Sequence, residues 1–498
     1  MIRIHNTVKR TQHNFWNHCH FHPTDAIEDA WGRRILDRLA ADGAVRTVRM
    51  YTMLEDIVYR DENGALAYDF RVNDLRLDYM IERGFNILLS FNFMPECIAS
   101  DPTSTSCVSK NKTRYKGKLI NTSAPTDYRL WEEICYTYAA HIIARYGIER
   151  VSQWYCQCFN EPDIQPFFLS QLPDDATETR LREYCKLYAA FARGLRRASP
   201  QMRIGGPALA RHQSFLGGFL DFVRENDLQL DFISIHSYGT SPARLNAGTR
   251  PLTVQNNLAK CRACFDTIAA HGFGDTELVI DEWGAASAGF FNRDECPELM
   301  FRETEVFSAY YVKLIDILIR SGLPVSKMLI CLSGQHEMTE DFSGFRNFFT
   351  LNFIAKPIYN AYLLAAKLGE GLLEAEHAVE DLAVIPTKTA DGGYAVLLTY
   401  AGEHFEPDLP AITETLTFAE DIAGRQITVW RIDRETTNPY RLREREGMTA
   451  PTAEQLNVLR EEGRLRPVLS TVADGAPLPL CLTANSTVLV TVSAEKCG

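Results

Sequence analysis

Two glutamates stand at the ends of short apolar runs, where a strand would hand a side chain to solvent. Glu161 follows Trp154-Tyr155-Cys156-Gln157-Cys158-Phe159-Asn160 and precedes Pro162, and Glu282 sits in Ile280-Asp281-Glu282-Trp283-Gly284, 121 residues further on. Two carboxylates that converge on one space are the equipment for cleaving a glycosidic bond. One carboxylic acid protonates the leaving oxygen; the other carboxylate attacks the anomeric carbon or activates water there. Either glutamate alone reads equally well as half of a strand-end ion pair, but two at matching strand ends favour the chemistry. Asn160 is placed to donate to a sugar hydroxyl and to the attacking carboxylate. Phe93, Trp154, Tyr238 and Trp283 are candidate walls for the C–H-rich face of a sugar ring, with plain core as their alternative, above all for Trp154.

Such a pair needs a scaffold that delivers strand ends to one mouth. Eight β-rich apolar runs begin at Asn14, Thr47, Asn86, Trp154, Arg203, Phe232, Leu278 and Lys327. Amphipathic helical stretches lie between them, and those starting at Trp31, Asn73 and Trp131 close on Gly43, Gly84 and Gly147, residues suited to a C-cap. Eight β-then-α units are the count for a closed parallel (β/α)8 TIM barrel, whose reacting groups sit at the C-terminal ends of the strands. Runs four and seven then face each other across the mouth. A doubly wound sheet is the rival, but no Gly-rich phosphate loop follows the first run.

After the helix beginning at Lys356 the pattern changes to alternating strand-like pieces separated by Gly, Pro and Asp. The spacing predicts a catalytic barrel over residues 14–371 and an all-β sandwich over 372–498, with residues 1–13 available to add a strand to it. A charged helical stretch from Thr452 is expected on the surface of that second domain. The 498 residues suit two domains, and 46% apolar with 23% charged residues is ordinary globular usage. The net charge of −12, from 52 basic and 64 acidic residues, disfavours nucleic acid and anionic membrane as partners. Thirteen scattered cysteines predict reduced thiols. Neither Cys156 with Cys158 nor Cys261 with Cys264 has a matching pair at zinc-finger spacing, so these read as small core residues. With no signal-like or membrane-spanning apolar stretch, a cytoplasmic location is expected.

In these motifs the chain resembles glycoside hydrolase family 39, the β-xylosidases and α-L-iduronidase. The resemblance covers nearly the whole sequence: Phe93-Met94-Pro95, Arg145-Tyr146-Gly147, Asn160-Glu161-Pro162, Gly205-Gly206-Pro207, His236-Ser237-Tyr238, Asp281-Glu282-Trp283 and the helix Lys356-Pro357-Ile358-Tyr359-Asn360-Ala361-Tyr362. It implies that Glu161 is the general acid/base and Glu282 the nucleophile of a retaining double displacement. Asn160, His236 and Tyr238 would line the subsite of the cleaved sugar, with Tyr238 bonded to Glu282. The implied substrate is a glycoside or oligosaccharide, cut from its end without a cofactor or metal. The oligomeric state is left open.

Three departures bear on the sugar. Tyr51 stands where the family often has the His of Arg-x-His. The eighth run reads Ile330-Cys331-Leu332-Ser333-Gly334-Gln335-His336-Glu337 without the usual Trp, and Glu337 is the candidate for an acidic sugar contact. Cys19-His20-Phe21-His22 replaces a Gly-rich turn. A β-D-xylosidase or related pentosidase is the leading reading. A uronidase would need a basic residue at the mouth, a non-catalytic sugar-binding barrel would not need both carboxylates, and a metal hydrolase would be sensitive to chelators.

Overall fold

Each of the eight expected runs contributes a strand to one closed parallel barrel in the computed structural model, which describes residues 1–21, 30–106, 119–333 and 338–497. The strands are β1 (His18–His20), β2 (Thr47–Tyr51), β3 (Asn86–Phe91), β4 (Tyr155–Cys158), β5 (Arg203–Leu209), β6 (Phe232–Thr240), β7 (Glu277–Ala286) and β8 (Val325–Cys331). They pair in chain order and β8 closes on β1, with Ile330 opposite Cys19. The main helix after each strand is, in order, α1 (Ala30–Ala41), α2 (Arg71–Glu82), α3 (Tyr128–Tyr146), α4 (Thr177–Ala198), α5 (Gln213–Glu225), α6 (Val254–Ala270), α7 (Glu305–Ser321) and α8 (Pro357–Ala365). The side chains of Asp127, Thr253 and Thr304 cap α3, α6 and α7 by accepting backbone N–H bonds. Helix α7 stops at Gly322, whose φ of 71° is left-handed.

Strand alternation sorts the side chains. Leu88, Tyr155, Phe232, Val279 and Leu329 point inward and form one buried layer across the barrel, so the interior is a packed core rather than a channel. Their strand neighbours, among them Cys156, Cys158, Ile233 and Ile280, join the larger core between strands and helices. Cys261 and Cys264 on α6 belong to that core as well.

The second domain is two packed sheets. Its main strands are β9 (Leu382–Lys388), β10 (Tyr394–Tyr400), β11 (Ile412–Phe418), β12 (Arg425–Ile432), β13 (Pro467–Val472), β14 (Leu478–Leu482) and β15 (Ser486–Lys496). The N-terminal strand Ile2–Ile4 lies in the smaller sheet, parallel to β11, and Arg10–Thr11 pairs with Gly371–Leu372 at the edge of the larger one. Strand β10 is buried on both faces. Tyr394, Val396, Leu398 and Tyr400 face the core between the sheets, while Ala395 and Leu397 join the barrel's core together with Ile385, Ile432 and Leu489. The charged stretch after Thr452 is helix α10 (Ala453–Glu462), preceded by α9 (Pro439–Arg445), and it opens with a full capping box. It does not lie freely on the β domain: Leu459 packs with Phe342 and Ile354 of the barrel's last loop, and Asn360 Nδ2 donates to Gly463 O.

Candidate active site

Both glutamates reach the mouth because their strands depart from regular alternation. After β4, Phe159 and Glu161 have φ values of 63° and 45°, a region that non-glycine residues rarely adopt and that costs about 1–3 kcal/mol each. The chain turns sharply there, so the successive residues Asn160 and Glu161 face the same space instead of opposite sides. On β7 the register with β6 shifts, from Ile235 opposite Ile280 to His236 opposite Glu282. The bulge at Asp281 lets both Asp281 and Glu282 point inward.

Arg49, fully buried on β2, ties the set together. Its Nη1 donates to Glu282 Oε1 at 2.7 Å, its Nη2 to Asn160 Oδ1 at 2.6 Å, and its Nε to Gln157 Oε1 at 3.3 Å. Nη2 also lies 3.3 Å from Asp281 Oδ2, which accepts from Gln157 Nε2 at 2.9 Å. The other Glu282 oxygen accepts from Tyr238 OH at 2.6 Å. Glu161 Oε1 is 2.7 Å from His236 Nδ1, and that nitrogen is 3.6 Å from Glu282 Oε2. One oxygen each of Glu161 and Glu282, with a His236 ring nitrogen, lie within 4.8 Å of one another.

The surroundings drive the two glutamates apart in proton affinity. Burial raises the Glu161 carboxyl above its ordinary range despite the pull of His236. Burial would raise Glu282 as well, but the charges of His236 and Arg49, helped by the Tyr238 hydrogen bond, hold it well below the usual carboxylate range. His236, although fully buried, is held well above the usual range by Glu282, Asp281 and Glu161. Burial thus favours the protonated form of Glu161 and the surrounding charges the ionised form of Glu282, the direction that acid-assisted displacement needs.

One further buried group sets Tyr238. Arg346, on the loop after β8, donates from Nε to Cys331 O at 2.5 Å and from Nη1 to Ala286 O at 2.6 Å. Its Nη2 reaches Tyr238 OH at 3.4 Å, and the guanidinium lies 4.9 Å from the centre of the tyrosine ring. The loop that carries Arg346 is anchored by Glu303, which accepts from Gly344 N and from Lys356 Nζ, both at 2.7 Å.

Tyr51 is buried at the strand-two end, 4.9 Å from the His20 ring and 5.3 Å from Phe93, so the three aromatic groups are contiguous. Phe93 is covered by Tyr51, Phe159 and Phe167 and backs the site rather than facing it. The expectation that Trp283 walls the sugar is corrected. Trp283 follows the inward Glu282 and points outward, fully buried against Phe307 and stacked on Tyr311 at 5.5 Å, with Nε1 donating to Tyr362 OH. Trp154 is core at the far end of β4, beside Tyr146. Glu337 and His22 lie outside the described residues.

Arg49, Asp281, Gln157 and Arg346 were not singled out as site residues from sequence. A signal existed for the first: a charged residue in the middle of the apolar run Thr47-Val48-Arg49-Met50-Tyr51 must be paired if buried. No comparable local signal marks Arg346. Asn160 Nδ2 is buried with no hydrogen-bond partner among the described residues, a donor available to a ligand.

The family model described as glycosyl hydrolases family 39 matches residues 1–473. The chain is 26% identical over 451 residues to a β-xylosidase of Caldicellulosiruptor saccharolyticus, covering 86% of this chain and 84% of that protein. It is 29% identical over 292 residues to α-L-iduronidase of Canis lupus familiaris, covering 54% of this chain and 39% of that one. The crystal structure of a monomeric β-xylosidase from Caulobacter crescentus superposes with a TM-score of 0.82 at 20% identity, over 99% of both chains. No described helix is long and apolar enough to cross a membrane.

Proposed function

Because the chain belongs to glycoside hydrolase family 39, we propose that it is a retaining, exo-acting β-D-xylosidase or related pentosidase in which Glu282 is the nucleophile and Glu161 the acid/base. The observation that carries this reading is the unequal pair: two carboxyl groups with oxygens within 4.8 Å, Glu282 pushed toward the ionised form by His236, Arg49 and Tyr238, and Glu161 pushed toward the protonated form by burial. Carboxyl groups of a retaining pair stand about 5–5.5 Å apart, whereas an inverting pair needs roughly 6.5–9.5 Å to admit water. Glu282 attacks the anomeric carbon while Glu161 gives its proton to the leaving oxygen. The carboxyl-linked sugar is then released by water, from which Glu161, now the base, takes a proton. Asn160 Nδ2 and Tyr238 orient the sugar and the nucleophile, and His236 holds Glu161 in line.

The barrel, residues 14–371, performs the reaction, and the sandwich from residue 372, joined by the strand Ile2–Ile4, buttresses it. Twelve described cysteines without a disulfide suit a cytoplasmic setting. The β-xylosidase relatives support the pentoside class. Tyr51 in place of the family's usual His changes the hydrogen-bond donors around the cleaved sugar. One missing bond to a buried hydroxyl costs about 1–3 kcal/mol, enough to reorder preferences among similar sugars. NMR of the first product released from an aryl glycoside decides the mechanism: the expected anomer keeps the substrate's configuration, and an inverted anomer sinks the double displacement. A panel of aryl β-xyloside, arabinosides, β-glucoside, β-galactoside and an iduronide decides the sugar. Aryl β-xyloside is expected to be weak beside some other glycoside of the panel, and Tyr51→His is expected to improve it relative to that competitor. An unchanged, strong xyloside preference in both proteins would remove Tyr51 from specificity.

A further inference from the structure

Two groups in the mouth have no part in this mechanism. His20 Nδ1 lies 3.1 Å from Arg49 O. A carbonyl only accepts, so Nδ1 carries the proton and Nε2 presents a bare lone pair. Burial and the Arg49 charge lower the His20 pKa to about 3, which keeps the ring neutral. That lone pair faces Glu282 Oε1 across 4.0 Å, two acceptors opposed at a distance too long for a hydrogen bond. The second group is the buried thiol of Cys331 at the end of β8. Its sulfur, a ring nitrogen of His20 and a Glu282 oxygen all lie within 4.8 Å of one another.

We propose that His20 Nε2, Cys331 Sγ and a Glu282 carboxylate oxygen form an inhibitory site for a thiophilic divalent metal ion of the zinc class. A donor such as a water or a sugar hydroxyl would satisfy the two opposed acceptors. The neighbouring thiol selects a soft cation instead, and imidazole, thiolate and carboxylate are the ligand types of zinc. Tetrahedral zinc with bonds of about 2.0–2.3 Å sets its ligands roughly 3.3–3.8 Å apart, so the three groups need to close by about an ångström. His20 already has the supporting arrangement of a metal-bound histidine, its other nitrogen donating to a backbone carbonyl. Binding releases the thiol proton to solvent and leaves a thiolate. The two charges of the ion are matched by that thiolate and Glu282, while Arg49 is answered by Asp281. A metal held there occupies the lone pairs with which Glu282 attacks, and it competes with the sugar.

The site itself is independent of the reading of Glu282 as nucleophile, but the inhibition rests on it. Chelator-treated enzyme is assayed on its best aryl glycoside with added Zn2+, and Co2+ replaces Zn2+ for absorption spectra, where a sulfur-to-cobalt charge-transfer band reports a bound thiolate. Zn2+ is expected to raise the apparent KM more than it lowers kcat, and Co2+ to give the band. Cys331→Ser should remove the band, and both Cys331→Ser and His20→Gln should weaken inhibition by about 10–100-fold, each measured against the variant's own metal-free rate. If a variant is inactive, its Co2+ spectrum still decides. Wild-type enzyme untouched by about 1 mM Zn2+, equal inhibition of wild type and both variants, or inhibition without the band would overturn the site. A wild type that turns over no glycoside yet shows the band would sink the proposed function and leave the metal site standing.

Discussion

Arg49 bonds to Glu282, Asn160 and Gln157 and lies beside Asp281, so removing it tests several parts of the site at once. Arg49→Met takes one buried positive partner from Glu282 and Asp281, which keep Tyr238, Gln157 and His236, so the cost in stability should be at most about 3–5 kcal/mol. It should also lower kcat/KM by about 10²–10³-fold, the usual effect of deleting one preorganised donor. Denaturant unfolding and steady-state kinetics measure the two losses separately. The glutamates answer to a different test. Glu282→Ala should abolish turnover. Glu161→Ala should slow substrates with poor leaving groups most and regain activity with azide, because an activated aryl group leaves without a proton; azide that rescued only Glu282→Ala would exchange the roles. His236 pulls down the proton affinity of both carboxyl groups. In His236→Asn the burial of Glu161 is less opposed and Glu282 loses a positive neighbour, so both rise. The acid limb follows Glu282, which must be ionised, and the basic limb follows Glu161, which must be protonated. Both limbs of the kcat/KM profile should therefore move to higher pH; a limb moving down would contradict these assignments. Wild-type activity should survive a strong chelator, since the two carboxyl groups supply the chemistry without a metal.

The loop after β8 is held by a pair of charges with almost no access to solvent, Glu303 and Lys356. Lys356→Met leaves Glu303 buried and unpaired, which should cost about 3–5 kcal/mol, while Glu303→Leu with Lys356→Met should recover much of that loss. A double variant as unstable as the single one would mean that the pair acts through packing alone. If the single variant also loses activity, the path runs from Gly344 to Arg346 to Tyr238, three residues whose connection no sequence pattern announces. What the sequence did announce follows from periodicity. The eight strands and the helices quoted from Trp31, Asn73 and Trp131 are where apolar spacing puts them, to within a few residues at each end. Glu161 and Glu282 were legible because they end such runs. Trp283 was misread although alternation argues against it: if Glu282 faces inward, the next residue on a regular strand faces out. The bulge at Asp281 and the turn at Phe159 were invisible, because a left-handed backbone at a bulky residue is imposed by the tertiary structure. The helix after Thr452 was legible as a charged helical stretch, but its partners Phe342, Ile354 and Asn360, far earlier in the chain, have no local signature.

At the scale of the whole molecule the two domains share one core. Ile385, Leu397, Ile432 and Leu489 of the sandwich belong to the same buried cluster as Tyr310, Leu314 and Leu318 of α7. The barrel's outer face at α7 is therefore built as an interior surface, and a chain ended after Leu372 should expose it. Such a truncated chain is expected to aggregate, and light scattering beside the full-length protein checks this; a soluble, active truncation would make the sandwich dispensable. The placement of Ile2–Ile4 also sets an order of events during synthesis. This strand leaves the ribosome well before the strand that pairs along its whole length, β11, which begins at Ile412. At about 5–20 residues per second that partner arrives roughly 20–80 s later. For that interval two isoleucines that are fully buried in the finished protein trail from a barrel that is already assembling, and the sandwich closes only when its later strands reach back for one made long before.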